Sequence, residues 1–66
     1  MEVTVDVAGG ETHNLSLDPG ATYDDVLERV DLHREEAAVL VEGRPVPTDA
    51  PVATGSVRVL RLVKGG

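Results

Sequence analysis

Cysteine is absent from the 66-residue sequence, which excludes a disulfide framework, a thiolate metal site and a cysteine nucleophile from its own chemistry. Any sulfur it handles belongs to a partner. Phenylalanine and tryptophan are absent as well, and Tyr23 is the single aromatic residue. A core must then be built from valine, leucine and alanine, a set whose β-branched share favours strands over helices. No apolar run approaches the ~20 residues of a membrane span, and Met1-Glu2-Val3-Thr4 lacks the basic and apolar regions of a leader. The expectation is a soluble cytoplasmic protein. Lysine is scarce: Lys64 stands alone beside five arginines.

Twelve acidic residues against six basic ones leave a formal charge of −6. That balance repels phosphate backbones and anionic lipid, and so argues against direct nucleic-acid binding and membrane association. Much acid, little lysine and small apolar side chains suit a high-salt cytoplasm, where long-range self-repulsion is screened. A chain of this length buries only about 60% of the surface its unfolded form exposes, enough for one compact core.

Val3, Val5 and Val7 alternate with Glu2, Thr4 and Asp6, the period of a half-buried strand. Ala8-Gly9-Gly10-Glu11 turns the chain, and Thr12 to Leu17 alternates again through Leu15 and Leu17, predicting an N-terminal hairpin. Asp18-Pro19-Gly20 stops the second strand. Thr22 with Asp25 three residues on resembles a capping box. A helix starting at Tyr23 then carries Tyr23, Val26, Leu27 and Val30 on one apolar stripe. Ala37 to Val41 reads as an interior strand, Glu42-Gly43-Arg44 as a turn, and Pro45-Val46-Pro47 as a short edge strand. After a loop from Thr48 to Gly55, the last strand runs from Ser56 to Val63. It sets Val57 and Val59 on one face and Arg58, Leu60 and Leu62 on the other.

The order β-β-α-β-β-β predicts an α+β fold, a mixed sheet of four or five strands with one helix packed across it. If the first and last strands meet at the sheet centre they must be parallel, and nearly the whole chain supplies the crossover. His13 and His33 lack a third ligand at metal-site spacing, so no metal is expected. Asp24-Asp25 has a sufficient role at the positive end of the helix. No nucleophile-base pair and no phosphate-cradling loop are found, so the chain is not expected to be an enzyme.

Val39-Leu40-Val41-Glu42-Gly43-Arg44-Pro45-Val46-Pro47 and, above all, Val57-Arg58-Val59-Leu60-Arg61-Leu62-Val63-Lys64-Gly65-Gly66 resemble the ubiquitin-like β-grasp family over essentially the whole chain. Within it the chain is similar to the small archaeal modifier proteins, of haloarchaeal type, which are in turn similar to ubiquitin and to the sulfur carriers of molybdopterin and thiamin synthesis. The resemblance implies a β-grasp domain over residues 1–63 and a flexible di-glycine tail over residues 64–66. It also implies attachment to target-protein lysines by isopeptide bonds and delivery of sulfur, for example to thiolated tRNA. The partners it implies are an adenylating enzyme like the ubiquitin activators, a desampylating metalloprotease and a tRNA-thiolation enzyme; the chain itself is expected to be a monomer that binds no cofactor, ATP being used by the activator.

A carboxylate is a poor electrophile, so the Gly66 terminus would first be adenylated by ATP. Glycine at positions 65 and 66 suits that step because, without Cβ, it threads a narrow channel. The adenylate can then pass to a partner's sulfur, giving a thiocarboxylate, or through a thioester to a lysine amine. Arg58, Leu60, Leu62 and Lys64 are the candidate partner-binding residues, an apolar patch with a basic rim leading into the tail. Scattered surface leucines are also common. Lys64 is the only side-chain acceptor for self-chaining, though a plain solubilising charge is the better account of it. Two other functions need no reactive Gly66: a non-covalent β-grasp interaction module, and a small acidic subunit of a larger complex.

Overall fold

Alternating valines give the first and last strands one buried face each, and the sheet they build sets the rest of the fold. The computed structural model describes residues 1–62. Five strands, β1 (Glu2–Val7), β2 (Thr12–Ser16), β3 (Ala37–Val41), β4 (Arg44–Pro45) and β5 (Ser56–Arg61), form one sheet in the order β2-β1-β5-β3-β4. The central pair, β1 and β5, is parallel, with Val5 beside Val57 and Val7 beside Val59. All other pairs are antiparallel. The expected parallel meeting of first and last strands is what the register shows.

One helix, α1 (Tyr23–Arg29), covers one face of the sheet. Its first turn is held by the expected capping box, in which Thr22 Oγ1 accepts from the Asp25 N–H while the Asp25 carboxylate accepts from the Thr22 N–H at 2.8 Å. Tyr23 and Asp24 donate their N–H groups to the carbonyls of Ala50 and Thr48. The orphan donors of the helix start are thus satisfied by the loop after β4 rather than by water. The helix ends where Asp31 takes φ 59°, letting its N–H reach the Glu28 carbonyl and the Leu32 N–H reach that of Leu27. This is a Schellman cap, and the residue that follows the turn, Leu32, packs into the core.

Val3, Val5, Val7, Val57, Val59, Ala37 and Val39 meet Tyr23, Val26 and Leu27 between sheet and helix. The structure adds Ala21, Leu32 and Val52, which lie in loops and close the ends of that layer. Val30 sits at the helix C-cap and is only half-buried, so the apolar stripe is one residue shorter than the spacing suggested. The second strand ends at Ser16, with Leu17 continuing into the core. The edge strand at β4 is two residues long and shifted one residue earlier than expected, because Pro45 and Pro47 cannot donate to a ladder.

Glu42 and Gly43 connect β3 to β4, both with positive φ, 52° and 79°. A two-residue hairpin loop with that signature is a type I′ turn, where asparagine is far better suited than glutamate to the first position. Glu42→Asn is expected to raise stability by about 0.5–1 kcal/mol, since non-glycine residues pay ~1–2 kcal/mol in this region. An unchanged urea midpoint would remove that reading of the turn.

Candidate functional site

β5 carries the candidate site because its two faces diverge. Val57 and Val59 are buried at 2% and 0% exposure, so Arg58 and Leu60 must project from the opposite, helix-free face. Cross-strand partners complete the surface there. Leu60 lies beside Ala38 and Arg58 beside Leu40, and Leu40 in turn pairs with Pro45 of β4. A continuous apolar strip therefore runs from Leu60 through Ala38 and Leu40 to Pro45, with Arg58 on its border.

Arg58 is not wholly available. Its Nη1 lies 3.8 Å from the Asp6 carboxylate on β1, with both side chains more than half exposed. A solvent-exposed pair of this kind contributes little to stability. It does set the guanidinium between the apolar strip and the polar half of the face, where Thr4 Oγ1 bonds Asn14 Oδ1 at 3.1 Å.

Leu62 lies one step past the end of the ladder, in the same register, opposite Glu36. The ladder to β3 ends at Arg61 opposite Ala37. Leu62, 52% exposed, is tied by its N–H to the Glu36 carbonyl at 2.7 Å and lines an open cleft of about 520 Å³ with His33, Glu35 and Glu36. It therefore marks the exit of the chain from the sheet, beside acidic side chains. Lys64, Gly65 and Gly66, and with them the 64–66 tail and the end of the 1–63 domain, lie outside the described residues.

Leu40, Ala38 and Pro45 were not singled out by sequence reasoning. Ala37 to Val41 is apolar throughout, so period alone assigns no face; only the register with β5 shows that Val39 points inward and Leu40 outward. A signal was available in the pairing of this run with Val57 and Val59, had the antiparallel register been known. Among the described residues no group of three histidine or carboxylate side chains could hold a metal, and no helix is long and apolar enough to cross a membrane.

A β-grasp sheet with a parallel central pair, one helix on one face and an apolar strip on the other, leading along β5 to a terminal Gly-Gly, defines the chain as a ubiquitin-like domain. A structure of Caldiarchaeum subterraneum ubiquitin superposes on it with a TM-score of 0.80, covering 100% of this chain and 98% of that one at 22% identity, a likeness of fold. The family model of small archaeal modifier protein 2 matches residues 1–63. Small archaeal modifier protein 2 of Haloferax volcanii is 52% identical over 66 residues, the full length of both chains. Its crystal structure matches with a TM-score of 0.76 over 97% of each chain at 50% identity. The chain belongs to the small archaeal modifier protein 2 family. It is a ubiquitin-like modifier and not an enzyme.

Proposed function

We propose that the protein is attached to other proteins, and charged with sulfur, through the Gly66 carboxylate. The observation that carries the reading is the full-length match to a small archaeal modifier protein, in a sequence where the strand bearing Leu60 is followed by Leu62-Val63-Lys64-Gly65-Gly66. The carboxylate attacks the α-phosphorus of ATP in an activating enzyme, the bond to the β-phosphate breaks, and pyrophosphate leaves. The resulting adenylate is displaced by a partner's thiolate with loss of AMP. Transfer of the acyl group to a lysine amine forms an isopeptide bond and releases the thiol. Capture of the adenylate by a sulfur donor instead gives a thiocarboxylate, the form suited to sulfur delivery such as tRNA thiolation.

In this reading the Leu40–Leu60 strip with Arg58 is the handle of the activating enzyme. Gly66 lies four residues after Leu62 in the sequence, and a fully extended chain of four residue steps spans at most ~14 Å. A docked strip would thus confine the carboxylate to the neighbourhood of the nucleotide, as positioning requires. A desampylating metalloprotease and a tRNA-thiolation enzyme would be later partners, and Lys64 the sole side-chain acceptor for chains.

With the activating enzyme and ATP, pyrophosphate release should depend on this protein. Leu40→Asp and Leu60→Asp are each expected to raise its KM about ten-fold or more with little change in kcat, since a lost apolar contact of about 1.4 kcal/mol is a factor of ten. Both side chains lie off the core face, so the circular dichroism of the variants should match the parent. Unchanged KM for both would remove the strip as the handle.

A further inference from the structure

The two edges of the sheet are treated very differently. β4 is two residues long and followed by Pro47, devices that block further pairing. β2, at the other edge, has five residues, Thr-His-Asn-Leu-Ser, with no proline and no lysine or arginine. Its ladder phase can be read from its end: Met1 and Leu17 exchange both N–H···O bonds, at 2.9 and 2.7 Å. Alternation along an antiparallel pair then directs the N–H and C=O groups of Leu15 and His13 to β1 and those of Thr12, Asn14 and Ser16 away from it. Three donors and three acceptors therefore point outward in strand geometry.

The side chains beside this open edge are suited to an added strand. Leu15 and His13, across from Val3 and Val5, lie on the helix side and are only half-buried. Leu15 and Val30 pack on the core without being covered by it. Carboxylates bracket the strand: Glu11 is exposed at one end, and Asp18, Asp25 and Glu28 share the hollow at the other with Arg29 as the one cation. A second copy of this chain fits poorly. An antiparallel β2–β2 pair centred on Asn14 would set Glu11 of each copy opposite Leu17 of the other and one residue from its Asp18, twice by symmetry, bringing like charges together.

We propose that the β2 edge is a second recognition site, separate from the Leu40–Leu60 strip, which takes an extended peptide segment of another protein by strand addition. The segment carries apolar side chains at the two alternate positions facing Leu15 and His13 and a lysine or arginine near each end. Main-chain bonds to Thr12, Asn14 and Ser16 supply the affinity, and the alternating pattern supplies the selection.

The test is a titration of the ¹⁵N-labelled full chain with the capped peptide Arg-Thr-Val-Thr-Val-Thr-Arg. The largest shifts are expected at the amides of Thr12, Asn14 and Ser16, with hydrogen exchange there slowed about ten-fold or more on saturation. Asn14→Pro removes an N–H that faces away from β1, a position where an edge strand tolerates proline. It should keep the fold and weaken binding about ten-fold or more, a loss of about 1.4 kcal/mol. The double variant Glu11→Lys, Asp18→Lys, which leaves the backbone untouched, should weaken binding as much. Shifts centred on Leu40 and Leu60, no shifts at millimolar peptide, unchanged binding by the double variant, or a free protein already paired through β2 in sedimentation and exchange would each overturn the proposal.

Discussion

Deleting Gly65 and Gly66 is expected to abolish attachment of this protein to others and its conversion to a thiocarboxylate, while leaving the fold unchanged. The expected loss is complete because the step removed is chemical rather than additive: without the terminal glycines, the carboxylate would sit on Lys64, whose Cβ and charged side chain a channel shaped for glycine excludes. The fold should survive because the described core, from Val3 to Val59, is closed without residues 65 and 66. The measurement is a pair of assays on one preparation: thermal unfolding by circular dichroism, and immunoblots for conjugates in cells lacking the intact protein. A non-covalent interaction module or a structural subunit would keep its partners after this deletion. Persistent conjugates would show that the attachment runs through another group.

The second large effect concerns the core. Leu27 is 1% exposed and the largest of the fully buried side chains, in a protein with no phenylalanine or tryptophan to share the load. Leu27→Ala should destabilise by about 2–5 kcal/mol, from lost burial and from the cavity left beneath the helix. For 66 residues the total stability is roughly 3–10 kcal/mol. At the centre of these ranges the variant should lose about half of its unfolding free energy, and conjugation should fall with it through unfolding. A shift in the unfolding free energy below about 1 kcal/mol would mean that the helix does not seal the core as described.

The strands that alternate cleanly were legible in the sequence, because a face that is half wet writes its period into the residue types. β1, with Val3, Val5 and Val7 inward, needed no structure to be placed. The helix start was legible for the same local reason, since Thr22 and Asp25 satisfy each other's backbone. What stayed hidden is set by distant partners. The outward face of β3 depends on register with β5, the core role of Val52 depends on its N–H reaching the Ala21 carbonyl, and the helix end depends on Asp31 accepting a positive φ. No residue pattern announces any of these. At the candidate site, Arg58 and Leu60 were placed correctly by alternation alone. Leu62 is exposed, as expected, and its N–H bond to the Glu36 carbonyl keeps the β3–β5 register one step past Arg61.

The same limits explain the two surfaces. The Leu40–Leu60 strip joins residues 20 positions apart, from β3 and β5, and only half of it could be read from β5. The open β2 edge is a matter of hydrogen-bond phase, fixed by Met1 and Leu17, and has no signature in composition.

The central claim is that Gly66 is the reacting group, and Lys64 makes it directly testable. Trypsin cuts after lysine, so a protein modified through Gly66 would keep Gly65-Gly66 on the acceptor lysine after digestion. Conjugates purified through an N-terminal tag, digested and read by mass spectrometry should yield branched peptides carrying that di-glycine on lysine amines, and the deletion variant should yield none. Tagged protein that comes through denaturing purification with no di-glycine-bearing lysine among its companions would contradict the account.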